Sequence, residues 1–374
     1  MNQAGAIHFA ITHSAAGGLR ELWDDIADGL AARGYATRRF VLYPPADAAG
    51  EHVDMVGWHH IAPAKPRTPW QAARMIATLV RYLRRERPAV IVSSMPAANV
   101  LLPVAVTLAR VPTRVILSHH SPTDTHNPLL DRVDGWTGIL RCVARVVSVS
   151  DAVRATLAHK PRRYRAKALT IHNALSERLE RMLDALPRRR SNDGVLRVVA
   201  LGRLTAQKNY PMLIRGMAAV PGARLEIVGG GEDEAALRAL VAELELGDRV
   251  TFSGLVAREA ALARAAAADV FVQVSRYEGH SLALIEAARL GLPLVVSDVA
   301  VQVEGVTAAD GTRCGIVVPL DDHGALAAVL RRLRDDPAAR AHWAALAARL
   351  GREASNAHML DRYEAVLAPL VRAG

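Results

Sequence analysis

The sequence predicts an α/β protein built from two doubly wound, Rossmann-like domains in tandem, each with a parallel sheet. Three observations carry this. Short β-branched runs alternate with helical patterns from one end to the other, the pattern of parallel strands covered by helices on both faces. The 374 residues exceed what one hydrophobic core of about 250–300 residues holds. The alternation also restarts after a polar, turn-rich segment, Arg188 to Gly194, which reads as a linker.

In chain order, Ile7–Thr12 reads as a strand, Gly17-Gly18 as a turn and Leu19–Arg33 as a helix. Ala36–Tyr43 is a second strand and Gln71–Arg87 a helix. Val90–Ser94, Arg114–Ser118, Arg145–Ser148 and Leu169–His172 are short strands, with Ser150 capping a helix that runs to about His159. Beyond Pro187 come the strands 196–201, 224–228, 250–253, 270–274, 294–297 and 315–318. Helices 210–219, 232–244, 258–267 and 281–289 alternate with them, and helices 324–334 and 338–349 follow. A last helix covers 357–370. Domains are therefore expected over 1–186 and 187–356.

Composition excludes several classes. Half the residues, 51%, are hydrophobic and 22% are charged, so the chain is neither disordered nor fibrous. Cys142 and Cys314 are the only cysteines, which argues against a disulfide framework or a zinc site. The start lacks a basic segment followed by an apolar core. The longest apolar stretches are broken by Pro, Asn or Asp, so a cytoplasmic chain that at most touches a membrane surface is expected. The net charge is +10, and residues 1–186 hold nearly all of it, with 24 basic and 15 acidic groups. One half thus faces something anionic. Two basic stretches account for this, Arg74–Arg87 and Arg154–Lys167, and basic amphipathic segments of this kind suit anionic lipid. A nucleic-acid binder built on such patches is disfavoured, because aromatic residues make up only 4% of the chain.

In open α/β sheets, ligands bind where the strands end. The strand 196–201 ends in Gly202-Arg203-Leu204-Thr205-Ala206-Gln207-Lys208-Asn209, two cations in a tight loop just before a helix, which suits a diphosphate. The strand 224–228 ends in Gly229-Gly230-Gly231, whose backbone amides are expected to be accessible. The strand 270–274 leads into Glu278-Gly279-His280-Ser281-Leu282, and Glu286 follows inside an apolar run, where a carboxylate needs a partner. Amides of His280, Ser281 and Leu282, at a helix start, suit a phosphate. In the first half, the strand 114–118 ends in His119-His120-Ser121-Pro122. No ligand set for a metal is recognisable, so none is expected.

Several of these landmarks, in this order, resemble the family 4 retaining glycosyltransferases. They are Gly202-Arg203 with Lys208-Asn209, Phe252-Ser253-Gly254, the two carboxylates of Glu278-Gly279 and Glu286, and the following Ala287-Ala288-Arg289-Leu290-Gly291-Leu292-Pro293. Val149-Ser150, Leu157, Ile171 and Asn173 are similar to the family's connecting segments. The resemblance implies a GT-B fold, two Rossmann-like domains around a cleft, with the last helix crossing back to the first domain. It implies a nucleotide-diphospho-sugar donor, UDP-linked by family habit, a glycan or lipid-linked acceptor, and no other cofactor. Arg203 and Lys208 would neutralise the diphosphate, Glu286 hold the ribose and Glu278 the donor sugar. Gly17 and Gly18 would form the flexible loop over donor and acceptor. His120, ahead of His119, would stand near the reacting carbon. The chain departs from the family at His280 and Ser281, where an aromatic residue and glycine are usual. A GT-B-type epimerase or a phosphorylase is the competing enzyme reading.

Overall fold

The computed structural model describes residues 5–13, 18–44, 57–187 and 194–372. The chain divides into two compact units, one of residues 1–173 with 357–374, the other of residues 174–356. The division falls after Asn173, not at the expected boundary after residue 186. The helix Glu177–Ala185 explains the difference, since Leu179 and Leu183 share one core with Leu175, Phe271 and Ile285 of the second unit. Gly17 and, but for Gly194, the predicted linker lie outside the described residues.

The first unit is built on a sheet of seven strands among the described residues. They are β1 (Ile7–His13), β2 (Thr37–Tyr43), β3 (Trp58–His60), β4 (Val90–Ser94), β5 (Arg114–His119), β6 (Val143–Ser148) and β7 (Ala168–Thr170). The order is β3-β2-β1-β4-β5-β6-β7, and each neighbouring pair is parallel. Parallel strands need crossovers, so every strand ends on the same edge. The helix Gly18–Ala32 lays Leu22, Trp23, Ile26 and Leu30 on the sheet at helical spacing. The helix Asn356–Arg372 closes this core. Its Tyr363 meets Trp23 edge-on at 6.2 Å, and Arg33 pairs with Asp361 at 2.8 Å and Glu364 at 2.7 Å.

The helix Pro96–Ala109 was not legible as a helix. It is apolar nearly all round and carries Pro103 within it, because it lies sunk in the core of this unit, with Leu102, Ala105 and Val106 buried. A helix without a polar face has no 3.6-residue alternation to read.

The second unit has six strands among the described residues. They are β8 (Leu196–Leu201), β9 (Ala223–Val228), β10 (Val250–Phe252), β11 (Val270–Gln273), β12 (Leu294–Ser297) and β13 (Ile316–Val318). They are ordered β10-β9-β8-β11-β12-β13, again all parallel. The helix Leu282–Arg289 follows β11 and packs against the helix Pro337–Glu353. At the crossing stands Gly351. A Cβ there would lie 2.4 Å from the backbone nitrogen of Arg289 and 2.6 Å from the carbonyl carbon of Ala288.

Two expectations follow from this packing. Gly351→Ala forces the two helices apart and lowers stability by about 1–3 kcal/mol, read from denaturant unfolding. The second concerns three histidines of the first unit. Burial pushes His8 down to about 4, His119 to about 4 and His120 to about 3. They are neutral in the folded chain, whereas the unfolded chain protonates near pH 6.5. Their contribution is complete above pH 6.5 and is lost as pH falls towards 4, by up to about 1.4 kcal/mol per pH unit for each histidine. Unfolding free energy measured across that window falls with pH, and less steeply in His8→Gln. A flat profile would contradict the burial assigned to these rings.

Candidate active site

The second unit's candidate residues sit on two loops at the strand ends, after β8 and after β11. Their backbones are laced to each other and to the loop after β9. Gly202 N–H donates to Val228 O, Leu204 N–H to Gly230 O and Asp233 N–H to Leu204 O, each at 3.0 Å. Gly229 has φ +146°, and a Cβ on it would stand 2.0 Å from the Gly202 oxygen. A Cβ on Gly231 would stand 2.3 Å from the Leu204 oxygen. These glycines are there to let two backbones touch. The expectation of freely accessible amides is corrected at Gly229, whose N–H donates to Gly254 O at 3.0 Å.

The β8 loop is tied equally closely to the β11 loop. Arg276 N–H donates to Gln207 O at 2.8 Å, and Gln207 Nε2 donates to Tyr277 O at 3.0 Å. Arg276 forks onto Asp321 with both contacts at 2.9 Å, and Asn209 joins through Nδ2 to Asp321 Oδ1 at 3.0 Å. Nothing in the sequence points to Arg276, Asn209 and Asp321 in this role. Their spacing in the chain carries no signal, because the contact joins three separate loops.

This lacing brings Lys208 Nζ to 2.6 Å from Glu278 Oε1. Glu278 is buried and Lys208 nearly so. Arg203, on the same loop, is exposed. The pair is internally neutral, and Arg203 adds an open cation at the strand-end edge.

Glu286 is buried in the helix Leu282–Arg289, and Arg258 donates to its Oε1. Burial raises its pKa, and the Arg258 cation opposes that rise. The partner that an apolar environment demands is therefore Arg258, a residue that the sequence alone places only in a helix. Ser281 caps the helix, accepting from Leu284 N–H at 3.3 Å and donating to Gln273 Oε1 at 2.8 Å. Gln273 is in turn fixed by Gln302, which donates to its carbonyl at 2.8 Å. The departure from the family at Ser281 thus has a structural content: the hydroxyl anchors the helix start to β11. Gly279 is buried, and His280 and Leu282 are half-buried in the same stretch.

In the first unit, the two histidines at the end of β5 have different surroundings. His119 is buried, with Nε2 2.7 Å from Tyr164 Oη. Tyr164 spends its one proton on Asp134 Oδ2 at 2.8 Å. His119 must then be the donor to Tyr164, which fixes the Nε2–H tautomer. Lys160, also buried, holds Asp134 at 2.8 Å and Asp131 at 2.7 Å. His119 belongs to this buried polar network, in which its own Nδ1 and Asp134 Oδ1 find no hydrogen-bond partner among the described residues. His120 is half-buried, its Nε2 2.9 Å from Ser118 Oγ and its ring edge-on to Trp23 at 5.2 Å. Gly18 opens the helix that carries Trp23 and is exposed.

Comparison with known proteins bears on both units. The family described as "Glycosyl transferases group 1" matches residues 185–350, and "Glycosyltransferase Family 4" matches residues 16–177. Mannosylfructose-phosphate synthase of Agrobacterium fabrum is 43% identical over 112 residues, 27% of this chain and 25% of that protein. The lipopolysaccharide core biosynthesis glycosyltransferase LpsD of Rhizobium meliloti is 35% identical over 144 residues, 38% of this chain and 40% of that protein. The chain therefore spans well under half the length of these two relatives. Among solved structures, HepE of Anabaena in complex with UDP superposes with a TM-score of 0.77 at 19% identity, over 97% of this chain and 100% of that one. Sucrose-phosphate synthase of Thermosynechococcus elongatus gives 0.77 at 21%, over 99% and 100%. These likenesses are to the GT-B fold. One family match falls on each half, the two together cover most of the chain, and the chain belongs to the family 4 glycosyltransferases.

Proposed function

We propose that this chain transfers a sugar, with retention of configuration, from a nucleotide-diphospho-sugar to a glycan or lipid-linked acceptor. The observation that carries the reading is the Lys208–Glu278 pair beside the open Arg203, on loops at the strand ends of the second unit. Arg203 and Lys208 neutralise the charge that grows on the departing diphosphate as the bond from the sugar carbon to the phosphate oxygen breaks. The released phosphate oxygen takes the proton of the attacking acceptor hydroxyl on the same face, so no protein nucleophile is required. Glu278 keeps the Lys208 ammonium in place and offers its second oxygen to a hydroxyl of the donor sugar. Glu286, held by Arg258, accepts from the ribose diol. By the family resemblance His120 is the histidine assigned to the reacting carbon, while His119 is held in the network with Tyr164.

The diphosphate is what these residues read, and the base is left to the comparisons. HepE was solved with UDP-glucose, which supports the expected UDP donor. A second reading has its own support: a relative from Mycobacterium tuberculosis, 35% identical over 112 residues, is named a GDP-mannose-dependent mannosyltransferase. Contact with an anionic membrane is part of the proposal, at the first unit. That unit carries the whole net charge, with 24 basic and 14 acidic groups against 23 and 23 in the second. Trp70, Leu129 and Trp136 stand exposed on it, as interfacial anchors do. Among the described residues, no helix is long and apolar enough to cross a membrane.

Arg203→Ala and Lys208→Ala are each expected to lower turnover by about 10²–10³-fold, followed as nucleoside diphosphate release; Arg203→Ala leaves the melting temperature unchanged, whereas Lys208→Ala, which strips buried Glu278 of its partner, lowers it in a chain that still folds. Near-normal turnover in a well-folded double variant would remove the assignment. A thermal-shift panel of UDP- and GDP-sugars identifies the donor, because only a bound one raises the melting temperature. Glu286→Gln raises the donor KM by about tenfold and changes kcat less, since it weakens a hydrogen bond made in both ground and transition state.

A further inference from the structure

The strand ends of the first unit's sheet hold the candidate histidines. The opposite edge, where strands begin, carries a cavity of about 460 Å³ that the transfer chemistry does not use. Arg110, Arg114 and Arg141 line it, together with Val106, Val111 and Leu370.

Its arginines differ from those that the unit pairs off. Arg33, Arg38 and Arg39 each hold a carboxylate. Among the described residues, no carboxylate lines the cavity and the three arginines around it have no ion-pair partner. Three like charges at one opening repel each other unless an anion joins them.

Two of the three are fixed in place by backbone. Arg114 donates from Nη1 to the carbonyl of Arg141 at 2.9 Å. Arg110 is the C-cap of the helix Pro96–Ala109, with φ 54° and its N–H on Val106 O and Thr107 O. A helix C-terminus by itself disfavours an anion. Recruitment therefore falls to the guanidinium groups. Between them they present more N–H donors than the two oxygens of a carboxylate accept, and the oxygens of a phosphate fit three forks better. The remaining wall is mainly apolar, with Val106 buried and Val111 and Leu370 half-buried, and the Thr107 and Thr113 hydroxyls in it donate to the carbonyls of Pro103 and Pro88.

We propose that this cavity binds a phosphate ester, its phosphate among Arg110, Arg114 and Arg141 and its organic part against Val106, Val111 and Leu370. The ester is either a soluble metabolite or a lipid headgroup. The site is separate from the donor residues, so it stands or falls without them.

Cys142 supplies the test. Its thiol lines the cavity and is half-buried, while Cys314 is fully buried. Burial raises the Cys142 pKa, so labelling with a maleimide is followed at mildly alkaline pH in the full chain, with Cys142→Ser as the blank. The probes are inorganic phosphate, phosphatidylcholine vesicles with and without phosphatidic acid, and chloride at matched ionic strength. An effective probe at ten times its Kd slows labelling about tenfold, because only the empty cavity reacts. Chloride and neutral vesicles leave the rate unchanged. Protection by inorganic phosphate assigns a soluble ester, and protection by phosphatidic acid vesicles alone assigns a headgroup. An Arg110→Gln, Arg141→Gln chain with an unchanged melting temperature loses the protection in either case. Labelling that neither probe slows, or that is slowed equally in the double variant, overturns the proposal.

Discussion

The second unit depends on one steric constraint: two strand-end loops must touch backbone to backbone. The Gly202 oxygen occupies the space where any other residue at position 229 would put its Cβ, at 2.0 Å. That contact, and the hydrogen bonds of Leu204 and Asp233 around it, hold the β8 loop against the β9 loop. The β11 loop then fastens to the other side of the β8 loop through Arg276 and Gln207. Lys208 and Glu278 are seventy positions apart in the chain, and they meet at 2.6 Å because both flanks are fixed. A loose loop would have to lose the entropy of a long lysine side chain each time the pair formed. Here much of that ordering is already complete in the folded chain.

The two histidines show how position in the chain and position in space part company. They are adjacent, and successive residues of a strand point to opposite faces. One face leads into the network of Tyr164, Asp134 and Lys160, the other towards Trp23. His119, Tyr164, Asp134 and Lys160 are each held by at least one other of the four, and such a network stiffens its surroundings. It leaves the half-buried ring as the one with room to meet another molecule.

Much of the architecture was legible from residues alone. β-branched runs such as Val90–Ser94 and Leu196–Leu201 are buried on both faces, so they read as strands without alternation. Amphipathic helices such as Gly18–Ala32 announced themselves by spacing. The sunken helix Pro96–Ala109 and the three-residue strand Trp58–His60 did not, the first for want of a polar face and the second for want of length. The site divided in the same way. Gly202, Arg203, Lys208, Glu278 and Glu286 lie in motifs whose local composition is unusual. Arg258, Arg276 and Asp321 do not, because an ion pair between distant segments is a property of the folded chain only. The domain boundary was displaced for a related reason. The polar run beginning at Arg188 looked like the natural break, yet an amphipathic helix before it had already joined the second core.

The return of the helix Asn356–Arg372 to the first unit has a consequence for how the chain is made. Tyr363 covers Trp23, but it is synthesised some two hundred residues after that unit's sheet. At about 5–20 residues per second, roughly ten to forty seconds pass in between. During that interval an apolar flank of the first unit stays uncovered, while the second unit, continuous in sequence, completes its own core. The nascent chain is most exposed to aggregation in the part that was made first.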